Sequence, residues 1–344
     1  MITGPRKSYR KPYDKYESRL FGQLKNSIYL TGIHRSGTSW IGKMLSFGGK
    51  FILKDEEIFN LSQAPSNTLL KRGIVSIKEL NSPINHWFLQ IYEENEHQYL
   101  DYIERILTNR YLLLAALSSA KNLSHVKTAF FAKKQSLKLR QLGRKHPSII
   151  IEPIGLLSTD WFYNKFGLLV IVTIRHPASF VSSLKRLNWK FDFHNFIDQD
   201  HLMAGRLQRY QGELEDSIAL TDDIIGQGIL LWRLLYSVVK EYQEQYPEWI
   251  YIRHEDLASD PIGGFRSLYK LIGLNFTPMS RAKILEFSGD SNPSESPVHN
   301  PGMIRRSSRD TVRIWNQRLE KDEIERIKEG VWSVASNWYG EEDW

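Results

Sequence analysis

A short aliphatic run that feeds through a glycine-bracketed loop straight into a helix constrains this chain more than any other feature. Residues 27–31 read as a buried strand, followed by Gly32-Ile33-His34-Arg35-Ser36-Gly37-Thr38-Ser39-Trp40, with helical pattern over 39–45. Two glycines four residues apart let the backbone curl so that successive N–H groups and a helix N-terminus converge on one anion. Three more aliphatic runs, at 148–151, 168–174 and 249–252, each precede a loop. Helical stretches follow them at 160–166, 177–187 and 261–272, the last with Asp260 placed as cap and Pro261 in the first turn. Strands alternating with helices predict an α/β fold: a three-layer, P-loop-like parallel sheet flanked by helices, with ligands outside the carboxyl ends of the strands.

At 344 residues and 41% hydrophobic, the chain can bury a sizeable core, and it reads as a single domain over 1–344 with a helical insertion at 51–147. Within that insertion Leu100, Tyr102, Ile103, Ile106 and Leu107 predict a helix over 98–117. A second helical block is expected over 201–246, and a terminal helix from about Asp322 with Ile324, Ile327 and Val331 on one stripe. Residues 291–309, rich in Ser, Pro, Asn and Arg, read as a long loop.

The formal charge of +7, from 46 Lys+Arg against 39 Asp+Glu, suits an anionic ligand as well as a nucleic acid. There is no cysteine, which removes disulfides, thiolate nucleophiles and cysteine zinc sites. The histidines show no metal-ligand spacing, so no metal is expected. No apolar run reaches the roughly 18 residues of a membrane span, and residues 1–20 lack the apolar run of a secretory signal. They are expected to form a flexible basic tail on a cytoplasmic protein. The alternative is a nucleic-acid-binding arm built on Arg6, Lys7, Arg10, Lys11 and Lys15, with Tyr9 and Tyr13 interleaved.

A nucleoside-triphosphate loop needs Lys after its second glycine, and Thr38 stands there. The strongest strand ends in Arg175 rather than in a carboxylate for Mg²⁺. Both absences count against a P-loop kinase or other phosphotransferase. Arg175 opens a second anion site: Pro177 starts a helix on which Ser179 and Ser183 share a face, so Arg175 and Ser183 can converge on one phosphate.

Arg35-Ser36-Gly37-Thr38-Ser39, with Arg175 and Ser183, resembles the 5′-phosphosulfate and 3′-phosphate motifs of the sulfotransferase superfamily. The likeness extends to Tyr251-Ile252-Arg253-His254-Glu255-Asp256-Leu257, to Trp232 and to the stretch from Arg306 to Trp315, over roughly residues 28–332. Arg-Ser-Gly-Thr is nearer the bacterial and carbohydrate branch than the aryl branch, which has Lys in place of Arg35. The resemblance implies metal-free transfer of a sulfuryl group from 3′-phosphoadenosine-5′-phosphosulfate (PAPS), leaving 3′,5′-ADP. It puts the 5′-phosphosulfate on Arg35, Ser36, Gly37, Thr38 and Ser39, Trp40 and His254 beside adenine, and Arg175 and Ser183 on the 3′-phosphate. Arg306 and Arg309 fall where a basic loop closes over that phosphate. Relatives carry Lys-Asp-Pro where Ile151-Glu152-Pro153 stands; a carboxylate facing a phosphate is repulsive, so Glu152 is expected to point elsewhere.

Such a transfer needs a cation at the leaving oxygen, for which Arg35 is the candidate, and a base for the acceptor proton. Glu57, in Lys54-Asp55-Glu56-Glu57-Ile58-Phe59-Asn60, aligns with the glutamate of a Glu-Pro-Phe-Asn motif that this branch uses as its base. The same acids also read as a solvated turn, and His86 and His125 are the reserve. The acceptor, a hydroxyl or amine on a small molecule, carbohydrate, lipid or peptide, stays open; the insertion with Trp189, Phe191 and Phe193 would shape its cleft. A basic nucleotide- or nucleic-acid-binding protein without catalysis is the remaining alternative, although no nucleic-acid partner is expected.

Overall fold

The structure is a computed structural model that describes residues 24–60, 82–110, 113, 117, 123–218 and 222–344. The basic N-terminal segment carrying Arg6, Lys7, Arg10, Lys11 and Lys15 lies outside the described residues.

Five strands, β1 (Ile28–Thr31), β2 (Ile52–Asp55), β3 (Ser148–Ile151), β4 (Leu169–Ile174) and β5 (Ile250–Arg253), form one sheet in the order β2-β3-β1-β4-β5. The β1/β3, β2/β3 and β4/β5 pairs are parallel. β1 and β3 are buried along their whole length and read as uninterrupted apolar runs, as strands covered on both faces must. Helices flank the sheet, so the α/β layering expected from the alternation of elements is the one the chain adopts. β1 is central: after β3 the chain crosses it to continue on the other side, and ligands of such sheets gather at that switch.

The sequence predicts four strands, and β2 is the fifth. Its composition, Ile-Leu-Lys-Asp, hides it, because Lys54 sits in the ladder opposite Ile150 and is buried. The strand is possible because the Lys54 ammonium donates to the Ile106 carbonyl and to Asn109 Oδ1, both at 2.9 Å.

The described residues fall into two compact units. One is built of Lys50–Val170 with the segment ending at Thr31. It holds β1, β2 and β3, with helices α1 (Leu100–Leu107), α2 (Leu123–Gly143) and α3 (Thr159–Phe166). Of the helix expected over 98–117, α1 covers Leu100–Leu107 and ends where Asn109 turns left-handed at φ 54°; Leu113 and Leu117 are again helical, and the other residues of 111–117 lie outside the described residues. Helix α2 falls within the helical insertion expected over 51–147, although no periodic pattern singled out its own residues. In this core Phe162 stacks on Tyr29 with ring centroids 4.6 Å apart, and the Tyr29 hydroxyl donates to the Gly155 carbonyl.

The second unit comprises Gly32–Gly49 and Ile171–Trp344. Its longer helices are α4 (Thr38–Ser46), α5 (Pro177–Leu187), α6 (Ile224–Gln245), α7 (His254–Ser259), α8 (Pro261–Leu271), α9 (Pro278–Ser288) and α10 (Lys321–Ala335). α5, α6 and α10 pack together, with Gly228 against Val181 and Gly330 against Ile229, so bare backbone lets the axes approach. The block expected over 201–246 is broken into Asp200–Ala204, Gln211–Ser217 and α6, which Asp223 caps by accepting from the Gly226 amide. Residues 291–309 carry no helix or strand, as expected of a loop.

Asp260 caps α8 as its sequence position predicts, accepting from the Gly263 amide at 3.0 Å. Asp260→Ala is therefore expected to cost about 1 kcal/mol of unfolding free energy. A denaturant titration in which the midpoint falls while the slope is unchanged would show it.

Candidate functional site

The loop that leaves β1 is curled by two left-handed residues, Arg35 at φ 65° and Gly37 at φ 89°. Gly37 ends the loop as the N-cap of α4 and, as a glycine, offers that helix no side-chain cap. A side chain at Gly37 would run into the His254 ring, and one at Gly32 would run into the Thr173 hydroxyl. Both glycines are therefore fixed by close approach as well as by conformation. The Ser36 hydroxyl shares a 2.7 Å hydrogen bond with Thr173 Oγ1, and its amide donates to the Ile33 carbonyl. Ser36 thus ties the loop to β4 instead of turning its hydroxyl outward. Thr38 is buried in the first turn and Ser39 is half-buried beside it.

Around this loop the unit gathers arginines. Arg175 is buried at the end of β4, where Trp232 and Tyr236 of α6 grip its backbone: the indole donates to the Arg175 carbonyl at 2.9 Å and the Arg175 amide donates to the phenol oxygen at 2.8 Å. Its guanidinium donates to the Thr311 carbonyl and to His254 Nδ1, with its Nε 3.5 Å from Glu255 Oε1. Arg35 donates from Nε to the Ser183 hydroxyl at 3.1 Å and from Nη1 to the Pro301 carbonyl at 2.9 Å, and lies 5.6 Å over the Trp189 ring. Ser183 is thus held by Arg35 rather than by Arg175. Trp40 packs between His254 and Phe265, and its indole donates to Ser288 Oγ. Burial, then the charges of Arg175 and Arg306, hold the His254 imidazole far below its ordinary pKa, so it is a neutral acceptor.

Arg306 is the most exceptional member. Burial, reinforced by Arg35, Arg175, Arg318 and Arg186, drags its pKa to about 9, and its Nε has no hydrogen-bond partner. Arg186 and Arg318 share one carboxylate, that of Glu295. Half-buried cations crowded together in this way repel one another where solvent screens them less than at an open surface. Arg309, expected beside Arg306, is exposed; it donates to the Ser259 carbonyl and pairs with Asp290.

Sequence reasoning did not single out Thr173, Arg186, Glu255 or Arg318. Two carried a signal: Glu255 adjoins His254, and Arg186 lies three residues after Ser183 on the same helical face. His176, next to Arg175, is an aromatic core residue. It stacks on Trp315 and meets Tyr339 and Trp344 edge-on, and burial pushes its pKa to about 3.

Glu57 belongs to the other unit. Its side chain is only 11% exposed and lies 3.7 Å from the Lys54 ammonium, so the acidic run is not a solvated turn. Burial raises its pKa above the usual carboxylate range, with Lys54 pulling the other way. Glu152, fully buried, accepts from the Ile58 amide at 2.8 Å and from the Phe59 amide at 3.4 Å. It clamps the backbone that immediately follows Glu57. His86 is bonded to its neighbour Asn85 on the surface, and His125 is exposed on α2.

Arg306→Met keeps much of the side-chain volume and removes one half-buried member of a crowd of like charges. It is expected to stabilise the ligand-free protein by roughly 1–4 kcal/mol in low-salt buffer without phosphate or sulfate. A melting temperature below wild type would mean that the guanidinium is already balanced.

A family model described as a sulfotransferase domain matches residues 25–335. None of the curated proteins searched matches the chain. Among solved structures, the sulfotransferase domain from the curacin biosynthetic pathway is 16% identical, with 88% of this chain and 96% of that chain covered, at a TM-score of 0.44. The sulfotransferase STF9 from Mycobacterium avium is 13% identical, with 92% and 77% covered, at 0.42. A mouse sulfotransferase complexed with PAP is 11% identical, with 93% and 90% covered, at 0.39.

Proposed function

Because the chain belongs to the sulfotransferase family, we propose that it moves a sulfuryl group from PAPS to a hydroxyl or amine of a small-molecule, carbohydrate or lipid acceptor. On this reading it acts as one domain in the cytoplasm, with residues 51–147 on the acceptor side. The observation that carries the reading is the cluster of Arg35, Arg175 and Arg306 around a glycine-bracketed loop, Arg175 buried and the other two half-buried, where Arg306 lacks a partner at Nε. A nucleotide bearing both a 3′-phosphate and a 5′-phosphosulfate supplies two anionic groups for it.

PAPS, when bound, supplies a sulfuryl group activated by its bond to the 5′-phosphate. The first turn of α4 and the Arg35 guanidinium suit the oxygen on which negative charge grows as that bond breaks. Ser183 and the Pro301 carbonyl already orient Arg35, so little reorganisation accompanies the reaction. Arg175 and Arg306 would hold the 3′-phosphate, and Trp40 with His254 would line the base. Glu57 would take the acceptor proton: burial strengthens it as a base while Lys54 keeps its ionised form accessible.

Two measurements test this. Calorimetric titration with 3′,5′-ADP, without Mg²⁺, is expected to show binding that Arg175→Ala weakens by about 100-fold. Binding of ATP with Mg²⁺ in place of 3′,5′-ADP would overturn the donor and restore the kinase. Glu57→Gln is expected to lower kcat by about 100-fold or more with 3′,5′-ADP binding unchanged. In the wild type, activity needs Glu57 unprotonated, so kcat/KM should fall as pH drops through its raised pKa. That acidic limb then lies above the range of an exposed glutamate and is absent in Glu57→Gln. A limb unmoved by the substitution would assign the base elsewhere.

A further inference from the structure

Helix α2, Leu123–Gly143, is built the wrong way round for a helix on a water-soluble surface. The side chains it buries are small: Ala129, Ala132 and Ser136. The large apolar ones point outward, with Leu123 68% exposed, Phe130 55%, Leu137 46%, Leu142 45% and Phe131 40%. A surface helix normally does the opposite, and a run of exposed Phe and Leu along one helix marks a surface that something covers. At 1.5 Å per residue these 21 residues present a strip about 30 Å long.

The charge of the strip says what covers it. From Arg105 to Ile151 the sequence contains ten Lys and Arg and not one Asp or Glu. The rest of the chain then holds thirty-six of the 46 cations against all 39 acids, so this one segment accounts for the positive sign of the whole protein. At 100° per residue Lys127, Lys134 and Lys138 occupy the centre of the outward face, and all three are exposed. Phe130 and Leu137 lie to one side of that ridge, Phe131 and Leu142 to the other.

This interleaving separates the occupants. A dry seam against another protein would desolvate three central lysines and demand a matched carboxylate for each. In the headgroup layer of a bilayer, lysines reach out to phosphates on all sides while their stems and the flanking rings sit at the acyl boundary. Among the described residues no helix is long and apolar enough to cross a membrane, so the contact is peripheral. We propose that α2 lies in the interface of an anionic lipid bilayer, Lys127, Lys134 and Lys138 on the headgroup phosphates and Phe130, Phe131 and Leu137 inserted beside them. This goes beyond sulfuryl transfer and does not depend on it.

The test is co-sedimentation of the full chain with vesicles of phosphatidylglycerol and phosphatidylcholine, against vesicles of phosphatidylcholine alone. Wild type should bind the anionic vesicles, should release as sodium chloride is raised, and should leave neutral vesicles largely unbound. The triple variant Lys127→Glu, Lys134→Glu, Lys138→Glu should lose at least about tenfold in partitioning, and Phe130→Ser with Phe131→Ser should lose a similar amount. Both leave the basic residues 1–20 intact, and both change exposed positions, so melting temperature and 3′,5′-ADP binding should stay at wild-type values. Failure of wild type to bind anionic vesicles overturns the proposal, as does a triple variant that binds as wild type does. Wild type that ignores vesicles yet binds polyglutamate would reassign the strip to an acidic protein.

Discussion

Like charges held together in a partly buried place set the terms for the larger unit of this structure. Arg306, half-buried, feels Arg35, Arg175, Arg186 and Arg318, while Glu255 lies beside Arg175 and Glu295 beside Arg186 and Arg318. A fold carries such an arrangement at a cost in stability, because the desolvation of each guanidinium is not matched by attraction. The surrounding structure shows how the cost is contained. Trp232 and Tyr236 fix the backbone of Arg175, carbonyls of Thr311 and Pro301 accept hydrogen bonds from guanidinium N–H groups, and His254 stays neutral so that it can accept one more. What is left over is positive potential around the loop after β1, which is the basis of the proposed nucleotide site.

The other unit solves an inverse problem with carboxylates. Glu152 and Glu57 are both buried acids, yet they are treated differently. Glu152 spends its two oxygens on the amides of Ile58 and Phe59 and so acts as a piece of backbone scaffolding. Glu57, two residues beyond the end of β2, keeps a lysine at 3.7 Å and a small opening to solvent. One carboxylate is engaged by two backbone amides and the other by a lysine ammonium, so two acids of one unit sit in different surroundings.

Much of this was legible in the sequence, and the failures share a cause. The strand–loop–helix at 27–46, the strands near 150, 170 and 250, the Asp260 cap and the isolation of Arg175 at a strand end all rest on local pattern, which a single chain displays. β2 was not legible because its Lys54 is rescued by Asn109 and Ile106, fifty residues away. Helix α2 was not legible because periodicity arguments look for a large apolar stripe facing inward, and here alanines and a serine face inward. Glu152 could be expected to turn away from a phosphate, but not to hold Ile58. Arg186 and Arg318 join Arg306 only through tertiary folding, and Arg309, one turn along from Arg306, goes to Asp290 instead.

The His254 ring beneath Gly37 has a consequence for kinetics. The ring fills the space where a Cβ would be, Ser36 is tied to Thr173, and Arg35 is already held by Ser183, so the cradle is complete before anything enters it. If the loop takes an anion, as proposed, the site needs little rearrangement to receive it, and its association is then expected to be limited by encounter, accelerated by the positive field and slowed as salt screens that field.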